Sequence, residues 1–287
     1  MGEIKKVLVL GTGVLGSQIA YQTAYSGFDV AVYDISDEVI GKARDTTFPA
    51  LAQTYLSQVK GATQESVDAA LARLSYHSDM ASAAADIDIA IEAVPEVPKI
   101  KEQVFGELNK VAPEQAIFCT NSSTLLPSEL APYTGRPDRF LALHFANRVW
   151  QFNTAEVMGT PQTDQAVFDR VVEFAKQIGM VPIPLHKEKS GYVLNSLLVP
   201  FLSAAAELAE GGYADPSAVD DVWRIATGAP LGPFQIYDII GLNTPYNIMI
   251  HGDAEQQKLG RWLKENYIDK GYLGLAAGRG FYDYSGK

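Results

Sequence analysis

The sequence contains a single cysteine, Cys119, among 287 residues. An intrachain disulfide is therefore excluded, and this cysteine usage suits a reducing compartment such as the cytoplasm. Because Cys119 lies within the predicted strand 116–120, we interpret it as a small buried apolar residue rather than a reactive thiol.

The sequence also lacks a long uninterrupted apolar run and an excess of basic residues. The longest apolar tract, 192–209, contains Asn195, Ser196, Pro200 and Glu207, so we predict a buried helix there and no membrane span. The N-terminus leads directly into a predicted strand, and no signal peptide is expected. A net charge of -11 argues against nucleic acid or an anionic membrane as the main partner.

A glycine pattern near the N-terminus organises the chain. Four apolar residues precede the pattern Gly11-x-Gly13-x-x-Gly16, which predicts a buried strand, a tight turn and the start of a helix. Gly11 permits the turn, Gly13 lets a pyrophosphate approach the backbone, and Gly16 allows the helix to pack on the strand. The N–H groups at the start of that helix favour bound phosphate.

An acidic residue follows at the spacing of a dinucleotide-binding fold. The second predicted strand, 29–33, ends in Asp34, which lies 18 residues after Gly16 and suits the ribose hydroxyls of an adenosine. A carboxylate there repels a 2′-phosphate, so NAD is favoured over NADP. The cofactor contacts predicted from this motif are Gly11, Gly13, Val14, Leu15, Gly16 and Asp34.

The first two thirds of the chain alternate between strand and helix patterns. This alternation predicts a doubly wound, mostly parallel α/β sheet of the Rossmann type, with helices on both faces. Strands are predicted at 7–10, 29–33, 74–77, 87–93, 116–120, 140–145, 154–158 and 180–185. Intervening helices are predicted at 17–26, 36–61 with a bend at Pro49, 65–74, 98–111, 127–130 and 164–179.

The pattern changes near Lys187, after which only helices are predicted. They cover 190–210, 216–227, 233–240 and 254–269, and the glycine-rich tail 271–286 is predicted to form turns. A length of 287 residues favours two domains. We therefore predict an NAD-binding domain over 1–187 and a smaller all-α domain over 188–287.

Among the four histidines, His144 is the best candidate for a base. It ends an apolar strand in the second half of the predicted nucleotide-binding domain, and the ordinary pKa of histidine suits proton transfer near neutral pH. Glu156 follows in an apolar strand-like segment, where an unpaired buried carboxylate would cost several kcal/mol. The alternative is a surface glutamate; paired with His144, Glu156 would fix the imidazole tautomer. No metal site is predicted.

Several motifs in the same order resemble the 3-hydroxyacyl-CoA dehydrogenase family over nearly the whole chain. The segments that carry the resemblance are 11–16, 92–96, 121–123, 143–147, Glu156, 190–195, 232–234 and 280–282. The resemblance implies an NAD-binding N-terminal domain, a helical C-terminal domain that pairs subunits into a homodimer, and a His-Glu dyad at His144 and Glu156.

The same resemblance implies roles for further polar residues. Ser123 and Asn195 match residues that hold the reacting oxygen in the family. Asn147, Glu96 and Lys101 fall at cofactor contacts, and Ser123 is also placed beside the cofactor. From the residues alone, a helix cap for Ser123, a core hydrogen bond for Asn195 and a solvated position for Lys101 remain open.

The sequence departs from the family at positions that bear on the substrate. Arg148 stands where proline is usual, and Ser196 where arginine is usual. The region 41–73 contains only Lys42, Arg44, Lys60 and Arg73 as basic residues, which is sparse for the phosphates of CoA. The segments 144–150 and 227–232 look like the diketoreductase branch, which reduces dicarbonyl compounds without CoA.

These observations predict an NAD-dependent oxidoreductase that interconverts 3-hydroxy and 3-oxo groups of a small molecule, of the 3-hydroxyacyl-CoA dehydrogenase type. A diketoreductase-like enzyme acting on CoA-free dicarbonyl or 3-oxo acid and ester substrates is the first alternative. A non-catalytic, crystallin-like NAD-binding protein is the second. The lysine-based β-hydroxyacid dehydrogenase branch is disfavoured because Gly191 stands where its lysine is expected.

Overall fold

The computed structural model of the chain describes residues 3–286, in which the largest element is an eight-stranded sheet. The strands are β1 (Lys6–Leu10), β2 (Asp29–Tyr33), β3 (Leu74–His77), β4 (Ile89–Glu92), β5 (Ile117–Thr120), β6 (Phe140–Phe145), β7 (Thr154–Gly159) and β8 (Val181–Leu185). Their spatial order is 3-2-1-4-5-6-7-8. Neighbouring strands are parallel except β6 and β7, which are antiparallel. The predicted mostly parallel sheet is confirmed.

Helices connect the strands. They are α1 (Val14–Tyr25), α2 (Asp37–Lys42), α3 (Phe48–Gln58), α4 (Gln64–Ala72), α5 (Met80–Ala84), α6 (Pro98–Val111), α7 (Pro127–Leu130) and α8 (Gln165–Gln177). The strand order reverses at β1, whose neighbours are β2 and β4. In open α/β sheets, ligands bind at the carboxyl ends of the strands at such a reversal.

Continuous apolar runs in the strands are explained by a core on each face of the sheet. Val7 and Val9 pack into one buried cluster, whereas Leu8 and Leu10 pack into another. Successive strand residues point to opposite faces, so a strand covered on both sides needs apolar residues at every position. Cys119 is free and buried in the first cluster, and burial raises the pKa of its thiol.

The long helix predicted between Ser36 and Gly61 is interrupted. The Ser36 hydroxyl caps α2 by accepting a hydrogen bond from Val39 N at 3.3 Å. A π-helical turn at Ala43–Thr47 separates α2 from α3, and Pro49 lies in the first turn of α3. Proline lacks an N–H donor and is best accommodated in a first helical turn, which is where the structure places it.

A second compact unit begins at Leu194, seven residues after the boundary placed at 187. It contains α9 (Leu194–Glu210), α10 (Pro216–Thr227), α11 (Pro233–Ile240), α12 (Asn243–Met249) and α13 (Ala254–Asn266). These helices enclose a core of their own. None of the helices within 3–286 is both long enough and apolar enough to cross a lipid bilayer.

Two buried carboxylates organise this second unit. Asp220 accepts hydrogen bonds from the first-turn amides of Phe234 (2.8 Å) and Gln235 (3.0 Å) in α11. Asp238 accepts hydrogen bonds from the amides of Phe281 (2.8 Å) and Tyr282 (3.0 Å). The turn-rich terminal segment is therefore tied to α11 through side-chain acceptors rather than through a strand.

Candidate active site

The glycine turn between β1 and α1 has the geometry expected of a phosphate-binding turn. Gly11 has a φ of +101°, and a Cβ at this position would lie 2.7 Å from the Ala93 carbonyl oxygen. A Cβ on Gly16 would lie 2.1 Å from the Gly11 carbonyl oxygen. A Cβ on Gly13, by contrast, would have no neighbour within 4 Å. Two glycines are thus required by close packing, whereas Gly13 borders open space that a ligand can occupy.

Asp34 is held against this turn. Its Oδ2 accepts hydrogen bonds from Thr12 N at 2.7 Å and Thr12 Oγ1 at 2.6 Å, and its Oδ1 accepts one from Ile35 N at 2.8 Å. Val14 and Leu15 form the first residues of α1, where Val14 is exposed and Leu15 is partly buried. The turn, the helix N-terminus and Asp34 therefore lie together and fit the phosphates and ribose of a dinucleotide.

His144 and Glu156 face each other across the antiparallel strands β6 and β7. The strand register pairs the two residues directly, which explains how they meet across the intervening hairpin. His144 Nδ1 lies 3.0 Å from Glu156 Oε2, and both side chains are 5% exposed. A carboxylate only accepts hydrogen bonds, so this contact places the proton of a neutral imidazole on Nδ1 and leaves a lone pair on Nε2.

Ser123 contacts the other side of the imidazole. Its Oγ lies 3.0 Å from His144 Nε2, in the turn that follows β5. The β5 and β6 ends are joined by Asn121, whose Oδ1 accepts a hydrogen bond from Phe145 N at 2.9 Å. The structure therefore brings together three of the four predicted catalytic residues, in the order Ser123, His144 and Glu156.

Glu96 fixes the turn that carries Ser123. Its Oε1 accepts hydrogen bonds from the amides of Ser123 (3.0 Å) and Thr124 (3.0 Å), from the Thr124 hydroxyl (2.8 Å) and from the Ser122 hydroxyl. Burial opposes ionisation of Glu96, but Lys101 and the hydrogen bonds from this turn prevail and lower its pKa to about 2. Glu96 is therefore a carboxylate at every pH at which the protein would be assayed.

Lys101 lies behind Glu96. Its ammonium is 2.6 Å from Glu92 Oε1 and 3.1 Å from Glu96 Oε2, and its side chain is 1% exposed. Glu92 also accepts a hydrogen bond from Thr120 Oγ1 at 2.7 Å. Burial raises the pKa of Glu92, which Lys101 opposes. Lys101 is thus neither a solvated surface residue nor open to direct contact in this structure.

The two remaining predicted residues are Asn147 and Asn195. Asn147 is exposed in the turn after β6. Asn195 is the second residue of α9 and belongs to the second unit, where it lines an apolar cavity with Leu198 and Val199 among others. The role of Asn195 in holding the reacting oxygen stays a prediction.

Three contributors to the site carry no assigned role from the sequence. Glu92 and Thr120 form the base of the Lys101 pocket, and Tyr192 stacks on His144 with ring centroids 4.4 Å apart. The signal for Glu92 was a carboxylate within a buried strand, where a partner is required. The sequence does not indicate a role for Tyr192, because Tyr192 and His144 lie far apart along the chain.

The fold and the glycine turn define a dinucleotide-binding α/β domain followed by a helical unit, as in NAD-dependent dehydrogenases. Residues 6–189 match the 3-hydroxyacyl-CoA dehydrogenase NAD-binding domain, and residues 191–284 match the C-terminal domain of the same family. The chain therefore belongs to the 3-hydroxyacyl-CoA dehydrogenase family, and its cofactor is NAD.

Curated relatives and solved structures agree with this assignment. The mitochondrial hydroxyacyl-coenzyme A dehydrogenase of Rattus norvegicus is 33% identical over 98% of this chain and 91% of its own length. The 3-hydroxybutyryl-CoA dehydrogenase of Bradyrhizobium diazoefficiens is 32% identical over 99% and 96%. A solved diketoreductase, described as catalysing reactions of dicarbonyl compounds, is 57% identical with a TM-score of 0.97, covering 99% of this chain and 100% of that one.

Proposed function

We propose that the protein catalyses NAD(H)-dependent interconversion of a 3-hydroxy and a 3-oxo group, with His144 as the group that transfers the proton. The observation that carries this proposal is the hydrogen-bonded series of Ser123, His144 and Glu156 at the carboxyl edge of the sheet, with 3.0 Å at each contact. A base oriented by a carboxylate and facing a hydroxyl is the arrangement that proton transfer requires.

In the oxidation direction, Nε2 of His144 takes the proton of the substrate hydroxyl. Glu156 holds the opposite ring nitrogen and stabilises the imidazolium that forms. Ser123, together with Asn195, would donate hydrogen bonds to the reacting oxygen, which gains negative charge when the reaction runs in reverse. NAD supplies the nicotinamide ring that accepts the hydride from the substrate carbon.

The cofactor would lie along the edge formed by the glycine turn and the β4 to β6 ends. Gly11, Gly13, Gly16 and the start of α1, with Val14 and Leu15, would hold the pyrophosphate, and Asp34 the adenosine ribose. Glu96, Ser123 and Asn147 would contact the nicotinamide half. We assign Lys101 an indirect part, since its buried ammonium neutralises Glu96 and so orients this carboxylate.

Replacing His144 by alanine tests this assignment. We expect turnover to fall by about 10² to 10⁴ while the dissociation constant for NADH changes little, because general acid-base catalysis contributes that much and binding does not use the ring. The exposed His186 supplies the matched control, and His186→Ala should keep its turnover. The proposal is falsified if His144→Ala retains near-wild-type turnover.

A CoA-free dicarbonyl substrate is a second candidate. The 57% identity to the diketoreductase exceeds the 33% identity to the rat enzyme. Of the few basic residues in 41–73, Arg44 is already paired with Asp45 at 2.7 Å, and Arg73 donates to the Ala69 carbonyl oxygen at 3.0 Å. Asp45 offsets the charge of Arg44, and the Ala69 carbonyl oxygen engages a donor of Arg73, so both side chains are less available to the phosphates of CoA.

The two candidates are separated by measuring NADH oxidation with acetoacetyl-CoA and with a free 3,5-dioxo ester at equal concentrations. A much higher kcat/KM on the thioester would establish a CoA enzyme. Activity confined to the free diketone would establish the diketoreductase-like function. NADH binding without oxidation across a broad ketone panel would instead favour a non-catalytic NAD-binding protein.

We further propose that the protein acts in the cytoplasm and forms a homodimer through its helical unit. The single buried cysteine suits a reducing compartment such as the cytoplasm.

The proposed homodimer is supported by the surface of the helical unit. Large apolar side chains are exposed on α9 and α10, including Leu197 and Ile225 at 69% and 83% exposure. Apolar surface of this kind favours association with a partner surface.

A further inference from the structure

We infer that Tyr192 is a positioning residue for His144, and that the segment 190–193 holds the hydrogen-bonded residues Ser123, His144 and Glu156 in place. This inference rests on the proposed role of His144. The segment precedes α9 and belongs to the first unit. Within it, three residues contact three different parts of the site. A single short segment therefore couples the imidazole to both of its partners.

The phenol ring of Tyr192 stacks on the imidazole of His144. The ring centroids are 4.4 Å apart with 12° between the ring planes, and Tyr192 is 1% exposed. Both hydrogen bonds of His144, to Glu156 and to Ser123, extend from its ring nitrogens and so depend on the ring orientation. Tilting the imidazole toward Tyr192 is blocked by the stacked ring, so both contacts are held at once.

The stacked ring is anchored to the turn that carries Ser123. The Tyr192 hydroxyl donates to the Ser122 carbonyl oxygen at 2.8 Å, and the Ser190 hydroxyl donates to the Thr124 carbonyl oxygen at 2.8 Å. Burial raises the pKa of the Tyr192 hydroxyl, so it remains a donor throughout the working range of pH. Two side-chain hydrogen bonds therefore tie the segment to the turn 122–124.

The same segment also reaches Glu156. Val193 N donates to Glu156 Oε1 at 2.8 Å, on the carboxylate oxygen opposite to the one that binds His144. This approach depends on backbone in the left-handed region, with φ of +80° at Gly191 and +52° at Tyr192. A non-glycine residue in that region is strained and persists where surrounding contacts over-determine it, commonly at functional sites.

Tyr192 also affects the charge that forms on His144. The face of an aromatic ring attracts a cation, so the stack stabilises the imidazolium. The other ionisable groups around the site are Glu156 on β7, Glu96 and Glu92 with Lys101 beneath the serine turn, and Glu188 before the segment. Leucine at position 192 would keep the site apolar without the π face, so the charged imidazole would become less favourable.

The test compares Tyr192→Leu with the conservative Tyr192→Phe. In the leucine variant we expect kcat to fall by about 30-fold or more, whereas the NADH dissociation constant should stay unchanged. The acidic limb of the pH profile of kcat/KM for alcohol oxidation should move about one pH unit lower. Phenylalanine keeps the stacked ring, so most of kcat and the position of the limb should be restored.

Incorporating pentafluorophenylalanine at position 192 keeps the inference testable if the leucine variant does not fold. Fluorination reverses the charge of the ring face with little change in shape, so the acidic limb should lie below that of Tyr192→Phe. An unmoved limb in either the leucine or the fluorinated variant, or a phenylalanine variant as impaired as leucine, would overturn the inference. An active His144→Ala would instead contradict the proposed function itself.

Discussion

Lys101 is the most deeply buried cation in the described part of the chain, and its neighbours explain why it is tolerated. Two carboxylates and the Val94 carbonyl oxygen lie within 3.3 Å of its ammonium. A buried charge is stable only when it is paired and hydrogen-bonded. Replacing one member of such a charged group is expected to destabilise the folded protein more than replacing two members of opposite charge together.

We predict that Lys101→Met lowers the free energy of unfolding by about 3 to 5 kcal/mol, since it leaves the Glu92 carboxyl without a counterion in the core, where it must either carry an unpaired charge or bind a proton. Adding Glu92→Gln should recover part of that loss because an amide needs no counterion. Urea unfolding at neutral pH measures both. Lys99→Met on the exposed side of α6 is the control, and a single variant as stable as this control would contradict the prediction.

The carboxylate of Glu96 predicts a pH dependence of stability. Its pKa of about 2 in the folded protein lies below the usual 4.5, so its contribution is complete above the unfolded value and is lost as pH falls from about 4.5 toward about 2. Glu96→Gln should therefore lose less stability than the wild type between pH 6 and pH 3. Urea unfolding at the two pH values tests this, with the exposed Glu107→Gln as control; equal losses in Glu96→Gln and the wild type would contradict it.

At the scale of single residues, sequence reasoning predicted side chains whose chemistry conflicts with their apolar setting. His144 and Glu156 stand out because each interrupts a buried strand, and pairing resolves the conflict. Tyr192 does not stand out, since a buried tyrosine in an apolar segment is ordinary. Its importance depends on the stacked geometry, which the chain order does not encode.

At the level of secondary-structure elements, the glycine turn contains one residue with a packing role, Gly16, and one with a proposed binding role, Gly13. A Cβ at Gly16 would lie 2.1 Å from backbone, whereas one at Gly13 would meet nothing within 4 Å. We predict that Gly16→Ala destabilises the fold, because backbone must move to admit the methyl group. Gly13→Ala should keep wild-type stability and weaken NADH binding, because the methyl group enters the space assigned to the pyrophosphate.

Thermal unfolding and NADH titration of the two glycine variants check this pair. Gly106→Ala on α6 serves as a control, since its Cβ also has no neighbour within 4 Å and it lies away from the turn. Unchanged NADH affinity in a folded Gly13→Ala variant would contradict the placement of the cofactor pyrophosphate at this turn. Wild-type stability in Gly16→Ala would show that the turn relaxes more easily than its geometry suggests.

Three helices differ from what the sequence predicts. The helix expected from Ser190 begins at Leu194, since left-handed backbone at Gly191 and Tyr192 cannot continue a helix. The short α5 and α12 were not predicted. The sequence of α12 contains asparagine, threonine and proline, which are weak helix formers, and its buried Met249 packs with the second unit's core. Packing of Met249 against the core of the second unit therefore accounts for α12.

At the scale of the whole molecule, the exposed apolar residues of the helical unit predict self-association. Val222 and Ile225 on α10 are 69% and 83% exposed. We expect Ile225→Asp to convert the proposed dimer into a monomer, because a charge cannot be buried unpaired in an apolar interface. Gel filtration should change from about twice the chain mass of 31.1 kDa to that mass.

The exposed Val181 on β8 provides the matched control, and Val181→Asp should remain dimeric. A wild-type protein that already elutes at about 31.1 kDa would contradict the dimer. Retained dimerisation in Ile225→Asp would place the interface elsewhere.

Patterns in the amino-acid sequence alone predict the α/β class, the succession of strands and helices along the first unit and the glycine turn with Asp34, and they indicate His144 and Glu156 as candidate partners. These follow from local patterns, because periodicity and turn chemistry act over a few residues. Three facts come from the folded structure alone: Lys101 is buried behind Glu96, Glu92 completes its pocket, and Tyr192 stacks on the imidazole. Such contacts join residues far apart in the chain, and their strength depends on burial and distance, which no local pattern contains.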